Sequence, residues 1–181
     1  MSLKSLAEMP WIGEDGVLDL ANTIVCGAGP RGGDLDLLTD DDLRASWRSR
    51  TVEPDLAVLP LERLVELRAP VREALDAATR QCPLPAAVRT LLNSLAAKAP
   101  VTFEVAEDGR LTEREGDGPV TGRIGRQTLV LAAGPERKRL RRCPAPRCGM
   151  FFLAHRRDQA WCSVGCGNRA RSARRRPRPA D

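Results

Sequence analysis

Residues 143–166 read CPAPRCGMFFLAHRRDQAWCSVGC and place four of the six cysteines in the pattern C-x4-C-x13-C-x3-C. Two short cysteine pairs joined by a dozen or so residues can close an all-thiolate tetrahedron around Zn²⁺. Proline and glycine stand where each pair must turn the backbone sharply, for example at Gly149. The spacing therefore predicts one structural zinc ion. The predicted ligands are Cys143, Cys148, Cys162 and Cys166.

Other uses of these cysteines have to be weighed against structural zinc. A pair of disulfides would need an oxidising compartment, whereas acidic residues such as Glu8 and Glu14 interrupt any apolar leader, so we expect a cytoplasmic protein. A catalytic zinc would need an open position, which four thiolates do not leave. His155, the only histidine of the chain, lies between the two pairs, and the sequence leaves open whether it contributes to the metal site. The isolated Cys26 and Cys82 are expected to be small buried side chains.

Charge divides the chain into two parts. From residue 137 to the end, fourteen Lys and Arg stand against two Asp, a formal charge of +12, whereas the first 136 residues carry 15 basic and 22 acidic residues, a formal charge of −7. Thirteen of the fourteen basic residues are arginines, whose planar guanidinium binds phosphate or guanine edges in a bidentate way. This distribution predicts a polyanionic partner, and nucleic acid is the leading one.

A basic helix is expected directly after the second cysteine pair. Arg171, Arg174 and Arg175 are spaced i, i+3, i+4, which places them on one helical face, and Pro177 should end the helix. Further arginines flank the cysteines themselves. The candidate nucleic-acid contacts are Arg141, Arg142, Arg169, Arg171, Arg174 and Arg175.

Several motifs around the metal site resemble the CGNR zinc finger family. They are LRRC at 140–143, the pair Phe151-Phe152, WCS at 161–163 and CGNR at 166–169. The segments WIG at 11–13 and LDLANT at 18–23 are similar to the opening of the ABATE domain, which members of that family carry at the N-terminus. The resemblance implies a bacterial transcription regulator, with DNA preferred over RNA and an N-terminal domain that senses a ligand or a stress signal. It also leaves an RNA-binding, zinc-ribbon-like protein as the alternative.

The rest of the chain favours helices. Apolar residues recur at helical spacing over 61–80, where Pro70 should kink or divide the helix, and alternate around Asp108-Gly109, which predicts a β-hairpin. Residues 116–125 suggest a loop before a short helix at 126–133. We therefore expect a mainly α (α+β) fold with an ABATE-like helical regulatory domain at 1–136. A CGNR-type zinc finger with a treble-clef-like knuckle and a basic helix should occupy 137–181.

The N-terminal part offers one candidate site for a small-molecule effector. Asp19, Asn22 and Thr23 could share one side or the end of a helix, and they fall in the segment that resembles the ABATE opening. The alternative is that the three side chains satisfy local backbone groups. No nucleophile, base and acid arrangement typical of an enzyme is visible, so we expect no catalytic activity.

Other partners stay open at this level. Phe151, Phe152 and Trp161 lie close enough to the basic residues to stack unpaired RNA bases, and a zinc module could instead grip an acidic protein. No apolar run approaches eighteen residues, so a membrane is not an expected partner. No heptad pattern argues for a coiled coil, and the choice between a monomer and a homodimer stays open.

Overall fold

The structure is a computed structural model that describes Met9 and residues 11–175, without the side chain of Arg175. As far as they are described, Met1–Val65 and Lys138–Asp181 form one compact unit and Glu66–Arg137 form a second. Helices and short antiparallel hairpins give the mainly α (α+β) fold that the sequence predicts. The zinc module thus belongs to the same unit as the N-terminal part of the chain. The boundary between Val65 and Glu66 was not predicted from the sequence. The functional division at residues 136 and 137 stays a prediction.

A short buried helix is the first element described in the first unit. Helix α1 (Gly16–Ala21) begins after Asp15, whose carboxylate accepts hydrogen bonds from two backbone N–H groups of the first turn. Strands β1 (Ile24–Val25) and β2 (Leu35–Asp36) then pair antiparallel. All six residues of α1 are buried, so this helix forms part of the core of the unit.

Three more helices follow. Helix α2 (Asp41–Arg48) starts after Asp40, whose carboxylate caps the backbone N–H of Leu43. Helix α3 is Pro54–Ala57, and α4 is Leu61–Thr79. Pro70 lies inside α4 and does not divide it. No helix in the described part of the chain is long and apolar enough to cross a membrane.

The second unit pairs two helices with a hairpin. Helix α5 is Ala86–Ala96, strands β3 (Val101–Val105) and β4 (Leu111–Glu115) form the hairpin, and helix α6 is Val120–Ala133. The hairpin confirms the prediction made from Asp108-Gly109, and Gly109 has a φ of +79°. Arg126 on α6 forms ion pairs with Glu113 at 3.0 Å and Glu115 at 2.6 Å.

Helix α6 begins six residues earlier than predicted, and the predicted loop at 116–125 is therefore wrong over its second half. The reason is close packing against α5. A Cβ atom at Gly122 would lie 2.8 Å from Ala99, and one at Gly125 would lie 2.8 Å from Leu95. Glycines that weaken a helix locally are favoured here because they let the two backbones approach each other.

The zinc module consists of a short hairpin and a helix. Strands β5 (Leu140–Arg142) and β6 (Phe151–Leu153) pair antiparallel and enclose the first cysteine pair in their connection. Helix α7 (Val164–Arg175) carries the second pair at its beginning. This order of knuckle, hairpin and helix is the treble-clef-like arrangement expected from the sequence. The predicted helix stop at Pro177 lies outside the described residues.

Candidate metal centre and basic surface

The first cysteine pair is held by a sharp knuckle between β5 and β6. The backbone N–H of Cys143 donates to the carbonyl of Met150 at 2.8 Å, which closes the turn. Arg147 and Gly149 both adopt left-handed backbone conformations, with φ of 60° and 67°. A Cβ atom at Gly149 would lie 2.6 Å from the Sγ of Cys26, so both the backbone conformation and the available space require glycine.

The second cysteine pair is fixed by the start of α7. The Ser163 hydroxyl accepts a hydrogen bond from the Cys166 backbone N–H at 3.2 Å, as a helix cap does. Cys162 precedes the helix and Cys166 lies in its first turn. The positive end of the helix dipole therefore lies beside the sulfur atoms and favours their thiolate form.

The four sulfur atoms converge on one point. Those of Cys148, Cys162 and Cys166 are 3.4–3.6 Å apart, and all four ligand atoms lie within 4.8 Å of one another. Four thiolates arranged around Zn²⁺ at about 2.3 Å should be about 3.8 Å apart. The observed cluster fits this tetrahedron closely, and Cys143, Cys148 and Cys166 are buried. The residues present therefore fit the single structural zinc ion that the sequence predicts.

The same proximity governs how the thiols titrate. Hydrogen bonding, first of all from Cys148, lowers the pKa of Cys143 to about 7. Hydrogen bonding, first of all with Cys143, also lowers the pKa of Cys166 and raises the pKa of both Cys148 and Cys162. Two of the four sulfurs thus retain their protons at neutral pH when no metal is present. A zinc ion has to displace those protons to bind all four thiolates.

The Asn22 side chain ties α1 to the zinc module. Its amide donates to the Phe151 carbonyl at 3.0 Å and accepts from the Phe151 N–H at 2.8 Å, and both bonds are buried. Asn22 thereby pairs both outward-facing backbone groups of Phe151 at the edge of β6. The sequence analysis named Asn22 as a candidate pocket residue, and that role stays a prediction.

Asp19 and Thr23 are likewise buried and bonded to backbone groups. The Asp19 carboxylate accepts from the N–H groups of Gly13 at 2.8 Å and Val52 at 3.0 Å, and burial is the main cause that raises its pKa. The Thr23 hydroxyl donates to the Leu20 carbonyl at 2.8 Å. The bonds to Gly13 and Leu20 are local, as the alternative expected, whereas the bond to Val52 is not. An effector role for the three residues stays a prediction.

Cys26 supports the first knuckle from outside. Its backbone N–H donates to the Cys148 carbonyl at 3.0 Å, and its sulfur accepts from Arg142 at 3.1 Å. Arg147 donates to the Gly27 carbonyl at 3.0 Å. Cys26 is only partly buried and Cys82 is exposed, so the expectation that both are buried is wrong. Hydrogen bonds of its backbone and of its sulfur hold Cys26 in place, and burial of an apolar side chain does not.

Three of the candidate arginines are engaged within the module. Arg141 donates to the carbonyls of Arg157 at 2.6 Å and Gln159 at 2.8 Å and so holds the loop between β6 and α7. Arg142 lies over the Phe151 ring, with 5.6 Å from guanidinium carbon to ring centroid. Arg169 donates to the Cys166 sulfur at 3.0 Å, where its charge compensates a thiolate. Their part in binding nucleic acid stays a prediction.

Two candidate arginines further along α7, Arg171 and Arg174, are exposed. Arg171 lies 5.8 Å over the Trp161 ring and donates to the Asn168 side chain at 2.6 Å, and its own side chain is exposed. Arg174 is exposed, and no hydrogen bond or ion pair within the described residues engages its guanidinium. The Arg175 side chain, the third member of the predicted face, lies outside the described part. Helix α7 thus carries exposed arginines, and the metal ligands fix its N-terminal end.

A cavity of about 230 Å³ opens beside the metal ligands within the first unit. Its lining includes Trp11 and Glu14 from the N-terminal segment and Arg169 from α7. Asp19, Asn22 and Thr23 are not among its lining residues. The sequence analysis missed this cavity because only the fold brings residues 11–18 to the zinc module. The resemblance of 11–13 to the ABATE opening was the single available signal.

Comparison with known protein families gives two matches. Residues 14–141 match the ABATE family, described as "Putative stress-induced transcription regulator", and residues 139–179 match the CGNR zinc finger. A comparison with curated proteins gave no significant match. The first match covers more than half of the chain, and the second contains all four cysteines of the cluster. The chain therefore belongs to the ABATE family and ends in a zinc-binding CGNR finger.

Proposed function

We propose that this protein is a zinc-dependent transcription regulator that binds duplex DNA through its arginine-rich finger, under the control of residues 1–136. Helix α7 carries the proposal. Its first turn contains the buried ligand Cys166, whereas residues 171–174 are all exposed. A metal site that fixes one end of a helix lets the other end project basic side chains without a large apolar core.

Electrostatics supports a polyanionic partner. With four thiolates and one Zn²⁺, the formal charge of +12 after residue 136 falls to about +10. Arg171 and Arg174 are three residues apart on α7 and so lie on adjacent turns of one face. If about five arginines of the segment meet phosphates, the logarithm of the binding constant should fall against log salt with a slope of about −4.5.

The aromatic side chains of the finger favour a duplex over unpaired RNA. Phe151 and Phe152 are 1% and 9% exposed, so their rings are not available to stack bases. Arg171 covers one face of Trp161. The three aromatic rings that kept RNA open in the sequence analysis therefore give it little support.

The proposal includes further attributes of the protein. The proposed control by the N-terminal part concerns a ligand or a stress signal, and the words "stress-induced" in the family description support the second of these. We include in the proposal that the protein binds without catalysing a reaction and works in the cytoplasm of a bacterium. The oligomeric state is left between a monomer and a homodimer.

Fluorescence anisotropy of the full-length, zinc-loaded protein tests the proposal. Labelled generic duplex DNA and single-stranded RNA of equal length are titrated at about 50 and about 200 mM salt. The proposal expects salt-steep binding, tighter for the duplex, which is lost when a chelator removes zinc. Tighter binding to RNA would favour the alternative function. Binding to neither polymer at low salt would refute the proposal and direct the search to acidic proteins.

A further inference from the structure

The cavity beside the metal centre has predominantly aromatic and aliphatic walls. Trp11 and Leu18 line it from the N-terminal segment, and Phe151, Phe152 and Leu153 line it from β6. Protein interiors contain few voids larger than a water molecule, yet about 230 Å³ corresponds to roughly eight waters at about 30 Å³ each. Water that fills such a recess lies against apolar surface that a ligand would cover more favourably.

The polar groups of the recess are mostly committed to other bonds. The Gln159 side chain accepts from the His155 backbone N–H at 2.9 Å and donates to the Trp161 carbonyl at 3.2 Å. Arg169 donates to the Cys166 sulfur. Glu14 and His155 are the exceptions, because both are exposed and no hydrogen bond or ion pair within the described residues engages the Glu14 carboxylate or the His155 imidazole.

The charge of the recess is negative. Three of the four cysteines, Cys148, Cys162 and Cys166, contribute to its lining, and a zinc ion bound by four thiolates carries a formal charge of −2. Glu14 adds a further negative charge, and Arg169 offsets only one. The charged groups of the lining therefore favour a cation over an anion, and the faces of the aromatic rings add to that preference.

We infer that this recess binds a small amphipathic organic cation, namely an ammonium group attached to a single aromatic ring or a similarly compact apolar body. The ring lies against Trp11 and Leu153, which are both partly exposed, and the ammonium group pairs with Glu14. The size of the cavity fits a single-ring molecule, since it is smaller than the about 300–1,000 Å³ of sites for drug-sized ligands.

Such a ligand would contact the base of the helix that we propose to bind DNA. Cys166 and Arg169 both line the recess and both belong to the first turns of α7. Occupancy could thus couple to the position of the basic residues further along the helix. Binding of this cation does not depend on the proposed function, because the recess can be occupied whether or not the protein binds nucleic acid.

Three matched probes test the inference on the full-length, zinc-loaded protein without nucleic acid. They are 2-phenylethylammonium, the neutral 2-phenylethanol and the anionic phenylacetate, each titrated at millimolar concentration. Binding is followed by the indole N–H signal of Trp11 in ¹⁵N-edited NMR spectra, assigned with the Trp11→Phe variant. We expect the cation to bind at least about fivefold more tightly than the neutral probe, as one partly exposed ion pair can supply.

Variants that change the charge at Glu14 test whether its carboxylate causes the preference for the cation. Glu14→Gln should remove most of the preference for the cation, and Glu14→Lys should reverse it in favour of phenylacetate, whereas Glu107→Gln in the exposed hairpin turn should change neither. Binding of none of the probes would overturn the inference. So would equal affinities for the three probes, or a preference that Glu14→Lys leaves intact. Failure here leaves duplex binding untouched, so the two proposals can fail separately.

Discussion

Asn22 and Phe151 are 129 positions apart in the chain, yet the Asn22 side chain bonds both the backbone N–H and the backbone carbonyl of Phe151 in β6. Asn22 is 1% exposed and Phe151 is also 1% exposed, so neither bond can be replaced by water without opening the core. The amide thus acts in place of a third strand. It joins α1 to the hairpin that carries the first metal-binding knuckle.

Asn22→Asp should destabilise the first unit. A carboxylate can still accept from the Phe151 N–H but cannot donate to the Phe151 carbonyl, and it buries a charge. We expect a loss of about 2 kcal/mol or more in the free energy of unfolding. Tryptophan fluorescence during denaturant unfolding measures this unit, because Trp11, Trp47 and Trp161 all belong to it.

The matched control is Asn93→Asp, at an exposed position of α5. It makes the same chemical change and should alter stability by no more than about 0.5 kcal/mol. Equal, small effects of both substitutions would show that the link between Asn22 and Phe151 does not hold the unit together.

Gly149→Ala should damage the first knuckle. Alanine is disfavoured at a φ of +67°, and its methyl group would lie 2.6 Å from the Cys26 sulfur. Gly32→Ala is the control in the same unit, since Gly32 has a φ of +81° but no atom within 4 Å of the added Cβ. Overpacking should make Gly149→Ala about 1–3 kcal/mol more costly than the control. Similar losses in denaturant unfolding of the two variants would mean that the Cys26 contact is not tight.

Zinc binding should release about two protons at pH 8. The raised pKa values of Cys148 and Cys162 keep these two thiols protonated in the metal-free chain, whereas Cys166 and, above its pKa of about 7, Cys143 are already thiolates. Below pH 7 the number should be larger, because Cys143 then takes up a proton. The logarithm of zinc affinity should therefore increase with pH, by about two per pH unit at pH 8 and more steeply below pH 7.

Calorimetric titration of zinc in two buffers of different protonation enthalpy counts these protons. Release of four protons at pH 8 would contradict the prediction, because it would mean that all four thiols are protonated before the metal binds. The Cys82→Ser variant is the control, since this exposed cysteine lies outside the cluster and its substitution should leave the count unchanged.

Local features of the sequence were enough to predict the metal site. Cysteine spacing reports ligands directly, because a tetrahedral ion accepts only a few loop lengths, and the four predicted sulfurs do converge. The β-hairpin at 101–115 was also predictable, since Asp108-Gly109 marks the turn between two alternating segments. In both cases residues near one another in the chain settle the local structure.

Features that depend on distant contacts were not predictable. The start of α6 was placed too late because Gly122 and Gly125 weaken a helix in isolation, whereas packing against α5 makes them favourable. The partner of Asn22 lies 129 positions away, so local patterns gave only its polarity. The free and the engaged arginines look alike in the sequence, and only the fold shows that Arg141 holds a loop while Arg174 is exposed.

Duplex binding by a double variant of α7 tests the central claim most directly. Arg171→Ala with Arg174→Ala is compared with Arg89→Ala and Arg110→Ala, two exposed arginines of the second unit that give the same change in charge. Zinc content confirms that each variant retains its metal site. We predict that the α7 variant weakens duplex binding and flattens the slope of log binding constant against log salt by about 2, whereas the control pair leaves the slope near that of the unmodified protein. Equal slopes and affinities for the two double variants would contradict the assignment of α7 as the DNA-binding surface.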